Sequence, residues 1–306
     1  MTPLQTMREI RQMLGAEGLA PHKRFGQNFL VDLNLMRKLL ELADLEGSET
    51  VLEVGAGTGS LTEELLDRAR SVVAVEIDRG LHALLERRLA GRENLTLICG
   101  DVLAGKHEIS PAALSALPAA AHLVANLPYA IATPLLSECL LCSWRAAMGA
   151  SGGPAVRFER MTFTVQREVA DRLSARPGSK DYGPASVIVA LLGRCVPGPM
   201  LPGPAFWPRP KVNSRMMRID FDPTAAAELR SASALTAVLA LGFGHRRKQI
   251  GWVLRDRRAP VDPQAFRAGL DRAGIAPTAR AEQIAPEQLR ELANTVYSAG
   301  PVRNAP

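Results

Sequence analysis

Polar and apolar positions change period repeatedly along the 306 residues. Leu4, Met7, Ile10, Met13 and Leu14 fall at helical spacing and predict a helical arm over residues 1–20. Apolar residues at 33, 35, 36, 39, 40 and 42 predict a second helix over Asp32–Asp44. Between them, Lys23-Arg-Phe-Gly-Gln-Asn-Phe-Leu30 is too polar and glycine-interrupted for a core strand, yet it holds two phenylalanines. That mixture suits a loop closing over something, and equally an ordinary connector. Short apolar runs then alternate with helical periods. Strands are predicted at Thr50–Val54, Ser71–Val75, Leu95–Ile98, His122–Ala125 and Met161–Val165. Helices are predicted from Ser60, over about 79–90, around 111–117 and over about 133–148. This alternation predicts an α/β fold, a parallel sheet wound on both faces.

The pattern changes twice more. Gly149–Pro154 is small and reads as an exposed loop, and residues 195–213 are too rich in Pro and Gly for a central strand or a helix. From about 224 only helical periods remain, over 225–242, 246–256, 263–273 and 286–297. The shift near Asp222-Pro223 divides the chain into a main domain, 1–222, and a smaller all-helical domain, 223–306.

Composition narrows the class. With 47% apolar and 22% charged residues the chain can bury a full core. No apolar run reaches the roughly 18 residues of a membrane span, and the N-terminus does not read as a signal peptide, so a cytoplasmic location is expected. Lys and Arg number 37 against 31 Asp and Glu, a formal +6 that leans towards an anionic partner. The basic residues cluster at Lys23-Arg24 and at His245-Arg-Arg-Lys248 with Arg255, Arg257 and Arg258. Such clusters could track a phosphate backbone or form solvated helix faces. Cys139-Leu-Leu-Cys142 has C-x-x-C spacing, but it lies among leucines without a second pair and reads as core. No histidine has a partner spacing that suggests a metal or a triad.

The strongest local chemistry sits at strand ends. Gly55-Ala-Gly-Thr-Gly59 joins a strand to a helix, the arrangement that brings backbone close to a ligand. Glu76 closes the next strand, where a carboxylate meets ribose hydroxyls in dinucleotide folds. Position 60 is Ser, so the loop is G-x-G-x-G and accommodates a nucleoside without insisting on a pyrophosphate. S-adenosylmethionine is such a ligand: Glu53, Gly55, Gly57 and Gly59 would line its amino-acid tail, Glu76 its ribose and Asp101 its adenine amine. A nicotinamide dinucleotide remains the alternative.

Asn126-Leu-Pro-Tyr129 follows the fourth strand. The Asn amide and the Leu127–Pro128 carbonyls can accept from a planar amine, Pro128 restrains the backbone, and Tyr129 offers a stacking face. Phe206 is the candidate for the opposite face of that planar group, with a core aromatic in a Pro-rich loop nearly as good a reading. An ordinary strand-end turn has the same composition.

Assembled, these blocks resemble the KsgA/RsmA family, the small-subunit rRNA adenine N6-dimethyltransferases, and are similar to the related Erm enzymes of the large subunit. The matching stretches are Lys23–Leu30, Val51–Thr62, Glu76-Ile-Asp78, Gly100-Asp101, Asn126–Tyr129 with Thr133-Pro134, and Gln166–Ala170. They continue through Tyr182-Gly183 with Ser186-Val187 to the Phe206–Ser214 proline block, over about residues 20–215. The resemblance implies a Rossmann-like class I methyltransferase sheet with a smaller helical C-terminal domain. It implies S-adenosylmethionine contacts from Asn28, Leu30, Gly55, Glu76, Asp101 and Asn126. It also implies that two neighbouring adenosines near the 3′ end of 16S rRNA, within the small subunit, are each methylated twice. Asn126, Leu127, Pro128 and Tyr129 would then be catalytic, and Phe206, Arg246, Arg247 and Lys248 would bind RNA. Neither a metal nor a membrane is expected, and a monomer is. The chain departs from the family at Ala130, where Asn is usual, over a longer 149–160 region, and at Arg246-Arg-Lys-Gln-Ile250.

Overall fold

The computed structural model describes residues 5–105, 108–149, 156–245, 248–255 and 259–298. It divides into two compact units, Met1–Ala170 with Cys195–Phe221, and Asp171–Arg194 with Asp222–Pro306. Among the described residues no helix is long and apolar enough to cross a membrane.

The first unit opens with α1, Met7–Ala16, started by a reciprocal Thr6–Glu9 capping box and buried through Ile10 and Leu14. A two-residue strand β1, Phe29–Leu30, precedes α2, Leu33–Ala43, whose first turn is capped by Asp32. The α/β alternation follows as β2 (Thr50–Val54), α3 (Ser60–Leu66), β3 (Ser71–Glu76), α4 (Arg79–Arg88) and β4 (Leu95–Cys99). It continues through α5 (Pro111–Ser115), β5 (Ala120–Asn126), α6 (Ala132–Met148), β6 (Arg157–Gln166) and α7 (Arg167–Leu173). After α8 (Pro184–Leu192) come β7 (Gly193–Leu201), β8 (Phe206–Trp207) and β9 (Ser214–Phe221).

The main sheet has seven strands in the order β4-β3-β2-β5-β6-β9-β7, and β1 pairs separately with β8. Strands β2 to β6 pair in parallel, but β9 runs antiparallel to β6, so the sheet is mixed rather than wholly parallel. The sequence pattern missed β7 and β9. Strand β7 carries Pro197 and Pro199, which an edge strand tolerates because one row of its N–H positions faces no neighbour. In β9 the alternation of apolar and polar positions is broken by Met216-Met217, both buried. The core is built by the parallel strands with Leu39 and Leu40 of α2, Leu61 and Leu65 of α3 and Leu85 of α4.

The second unit adds α9 (Pro223–Ala227), α10 (Ala232–Gly244), α11 (Pro263–Arg272) and α12 (Pro286–Ser298). The helix expected over 225–242 is split, because Ser231 caps a fresh start at α10. Of the helix expected over 246–256, residues 248–255 are described, and Ile250–Arg255 among them form a 3-10 helix. Residues 171–194, placed with the main domain from the sequence, cluster with this unit because α8 packs on α9, α10 and α12. The Tyr182 hydroxyl strengthens that attachment by donating to the Ile284 carbonyl at 2.8 Å.

Candidate active site

Three strand ends of the parallel sheet open onto one cleft. Its walls are the 25–29 segment, the glycine loop after β2, Glu76 and Ile77 after β3, and Asn126–Tyr129 after β5. The glycine loop needs its glycines. Gly55 has φ 76° and Gly57 φ 62°, both in the left-handed region. A Cβ on Gly55 would lie 3.2 Å from Pro128 Cγ, and one on Gly57 would lie 3.0 Å from the Phe29 ring. The loop therefore lies against both the tetrapeptide and the 25–29 segment.

Glu76 staples this loop to β3. Its two oxygens accept from the Gly57 N–H and the Asp78 N–H, each at 2.8 Å. Burial raises its pKa, and the two N–H donors partly oppose that. Glu53, also buried, has one oxygen without a hydrogen-bond partner. Burial pushes its pKa to about 8, with the nearby Thr62 hydroxyl opposing and the Glu76 charge reinforcing. Asp78 caps α4 through the N–H groups of Gly80 and Leu81 and accepts from Gln27 Nε2 at 3.0 Å, with His22 Nδ1 also at 3.0 Å. Burial alone would raise the Asp78 pKa, but these donors outweigh it and hold the group low.

At the other wall, Asn126 Nδ2 donates to the Asn28 carbonyl at 2.8 Å, and Asn126 Oδ1 accepts from the Thr164 hydroxyl. Asn28 closes its own turn by donating to the Gly26 carbonyl. The Tyr129 hydroxyl is paired with Ser214 Oγ at 2.8 Å, and burial raises its pKa against that hydrogen bond.

Asn28, Gly55, Glu76 and Asn126–Tyr129 thus come together. Leu30 and Phe206 do not join them. They pair with each other across β1 and β8 and bury their side chains in the main core, Phe206 at 3% exposure. Phe206 fills the core because its backbone is held in that pairing, which corrects its expected place as an open stacking face. Asp101 is exposed beyond β4 and accepts from the Leu103 N–H. In the second unit, Lys248 Nζ sits 4.2 Å from the Trp252 ring centroid, and Arg246 and Arg247 lie outside the described residues. Sequence reasoning missed Thr164 and the 41% exposed Ile77, and it gave Ser214 no role beyond closing the Phe206–Ser214 block. An apolar residue directly after an acidic strand end was the available signal for Ile77. Thr164 carried none, and Ser214 carried only its place at the end of that block.

Comparison with known proteins decides the class. The ribosomal RNA adenine dimethylase model matches residues 18–297. The chain belongs to the ribosomal RNA adenine dimethylase family. One curated relative, the ribosomal RNA small subunit methyltransferase A of Moorella thermoacetica, is 35% identical over 300 residues, covering 96% of this chain and 98% of its own. Among solved structures, the 23S rRNA methyltransferase ErmE is 27% identical with TM-score 0.57, covering 88% of this chain and 100% of its own. A dimethyladenosine transferase from Plasmodium falciparum is 20% identical with TM-score 0.62, covering 86% and 95%, and shows the same fold.

This dimethylase is therefore a Rossmann-like methyltransferase that uses S-adenosylmethionine. The cleft fits that molecule. Glycines at 55 and 57 let the loop lie directly against Pro128 and Phe29, the Glu76 carboxylate stands at the end of β3, and Ile77 offers an exposed apolar face.

Proposed function

We propose that this chain dimethylates N6 of two adjacent adenosines near the 3′ end of 16S rRNA, within the small ribosomal subunit and as a step in its biogenesis. The observation that carries the reading is the single cleft in which Asn126–Tyr129 lies against the glycine loop through Pro128 and Gly55. S-adenosylmethionine, when bound, supplies an electrophilic sulfonium methyl. Asn28, Gly55, Glu76 and Asn126 hold it, with Asp101 and the Leu30 backbone at the margins.

The N6 amine of adenine is a poor nucleophile because its lone pair is delocalised into the ring. Asn126 Oδ1 and the carbonyls of Leu127 and Pro128 accept its hydrogens and favour a pyramidal nitrogen. Positioning of this kind supplies much of the rate. Tyr129 stacks on the target base, which must leave its own stack at a cost of a few kcal/mol. Phe25, at the cleft wall, replaces Phe206 as the second aromatic. The basic cluster Arg246, Arg247 and Lys248 meets RNA phosphates. The protein works as a cytoplasmic monomer, and its four free thiols suit a reducing compartment.

Transfer of labelled methyl groups to unmethylated small subunits, followed by mapping of dimethyladenosine, tests the reading. Large subunits run in parallel, because ErmE, named as a 23S rRNA enzyme, makes large-subunit RNA the competing acceptor. The label should enter small subunits only. Asn126→Ala should lower turnover at least about a hundredfold, as loss of an acceptor at the reacting centre does, while S-adenosylmethionine binding stays measurable by calorimetry. Near-normal turnover would remove Asn126 from the chemistry.

A further inference from the structure

We infer that Thr164 and Ser214 are positioning residues that set the orientation of the Asn126 amide and of the Tyr129 ring. The inference rests on the reading of Asn126 as acceptor for the adenine amine, and it names the parts that make the amide one.

An Asn side chain presents an acceptor at one end and a two-hydrogen donor at the other, and only one orientation serves an incoming amine. The Asn28 carbonyl can only accept, so the atom facing it at 2.8 Å is Nδ2. Oδ1 then faces Thr164, whose hydroxyl donates to it. A carbonyl oxygen has two lone pairs. Thr164 takes one and leaves the other for an N6 hydrogen. Without Thr164 the amide is held at its Nδ2 end alone.

Register explains why Thr164 can do this. Asn126 and Thr164 are direct partners across the parallel β5–β6 pair. The register shifts between Ala121, opposite Phe158, and His122, opposite Arg160. Without that one-residue shift Asn126 would oppose Phe163, and no hydroxyl would reach it. Ser214 lies opposite Gln166 across the antiparallel β6–β9 pair, two residues beyond Thr164, so both hydroxyls stand on one face of the sheet. Both residues are fully buried. Each is aimed at a different chemistry-bearing side chain of the tetrapeptide, one amide and one phenol.

The test uses the full-length enzyme on unmethylated small subunits. Thr164→Val keeps the shape and removes the donor. We expect kcat to fall about ten- to a hundredfold, the scale of a misplaced reacting group, with S-adenosylmethionine affinity and the RNA KM within about twofold. Thr164→Ser should restore most of the rate. Monomethyladenosine should accumulate in the Val variant, because the half-methylated amine has one N–H left and depends on a single acceptor. Ser214→Ala and Tyr129→Phe each remove the same hydrogen bond, so the double variant should be no slower than the slower single one. A Thr164→Val enzyme at wild-type kcat, beside an inactive Asn126→Ala, would overturn the positioning role and leave the acceptor reading intact. Full turnover in Asn126→Ala would instead remove the reading beneath it. Equal impairment of the Val and Ser variants would show that Thr164 only packs. If thermal melting shows Thr164→Val unfolded, the Ser214 and Tyr129 pair decides, and wild-type turnover in Ser214→Ala overturns the proposal.

Discussion

At the residue scale, Glu53 and Glu76 show how two neighbouring buried carboxylates are satisfied differently. Glu76 has its charge satisfied by two backbone N–H groups, whereas Glu53 keeps an oxygen without a donor. The consequence is a pH-dependent stability. The Glu53 pKa is raised from 4.5 to about 8, so the folded state holds a proton that the unfolded chain releases between those values. Stability from this group is therefore complete below about pH 4.5 and is lost as the pH rises through about 8. Glu53→Gln keeps the shape and removes the titration. Thermal melting of variant and parent should show the variant gaining relative stability between pH 5 and pH 8.5. A difference that stays constant over that range would show that Glu53 is not held protonated. The same residue illustrates legibility. Its place before the glycine loop was plain from the sequence, but its missing partner depends on how β2 and β3 stack their ends.

At the element scale, β7 teaches the most. Its run Gly193-Arg-Cys-Val-Pro-Gly-Pro-Met-Leu201 has the composition of a loop and the position of an edge strand. A Cβ on Gly198 would fall 2.8 Å from Met216 Cβ in β9 and 2.9 Å from Leu42 Cδ2 in α2. Glycine here serves close packing, which no period in the sequence can express. Gly198→Ala should cost about 1–3 kcal/mol, the usual price of overpacking a filled site, read as a lower urea midpoint. A midpoint equal to the parent's would mean that β7 shifts outward freely. The parallel half of the sheet was legible because each strand is a short apolar run followed by a glycine, an acid or an amide that marks its end. The antiparallel strand and the edge were not, because their identity comes from neighbours. For the same reason Asn126 could be found by its chemistry, while Thr164 is visible only once the β5–β6 register is known. Phe206 failed in the opposite direction: an aromatic beside prolines looked like a recognition loop, and pairing with β1 turned it into core.

At the scale of the whole molecule, the formal charge of +6 is small for a protein whose family acts on RNA, so the distribution of charge must carry the electrostatics. A cation that neutralises a phosphate releases a condensed counterion, and each such contact steepens the fall of log K with log salt by about 0.7–0.9. If Arg246, Arg247 and Lys248 all meet phosphates, replacing the three with alanine should flatten that slope by about 2–3. Lys248 also rests on the Trp252 ring, and His245 packs edge-on against that same ring with centroids 4.3 Å apart. A lysine seated on an aromatic loses less freedom when it binds than one extended into water, so Lys248→Ala alone should account for a full share of the change. Binding measured by filter retention at several salt concentrations separates the cases. An unchanged slope with unchanged affinity in the triple variant would mean that the cluster does not touch RNA in the complex. A parallel loss of affinity with unchanged slope would mean that its contribution is not to phosphate at all. The methyl-transfer rate at saturating RNA should stay at the parent value, because a contribution confined to binding the phosphate backbone is overcome once RNA saturates the enzyme.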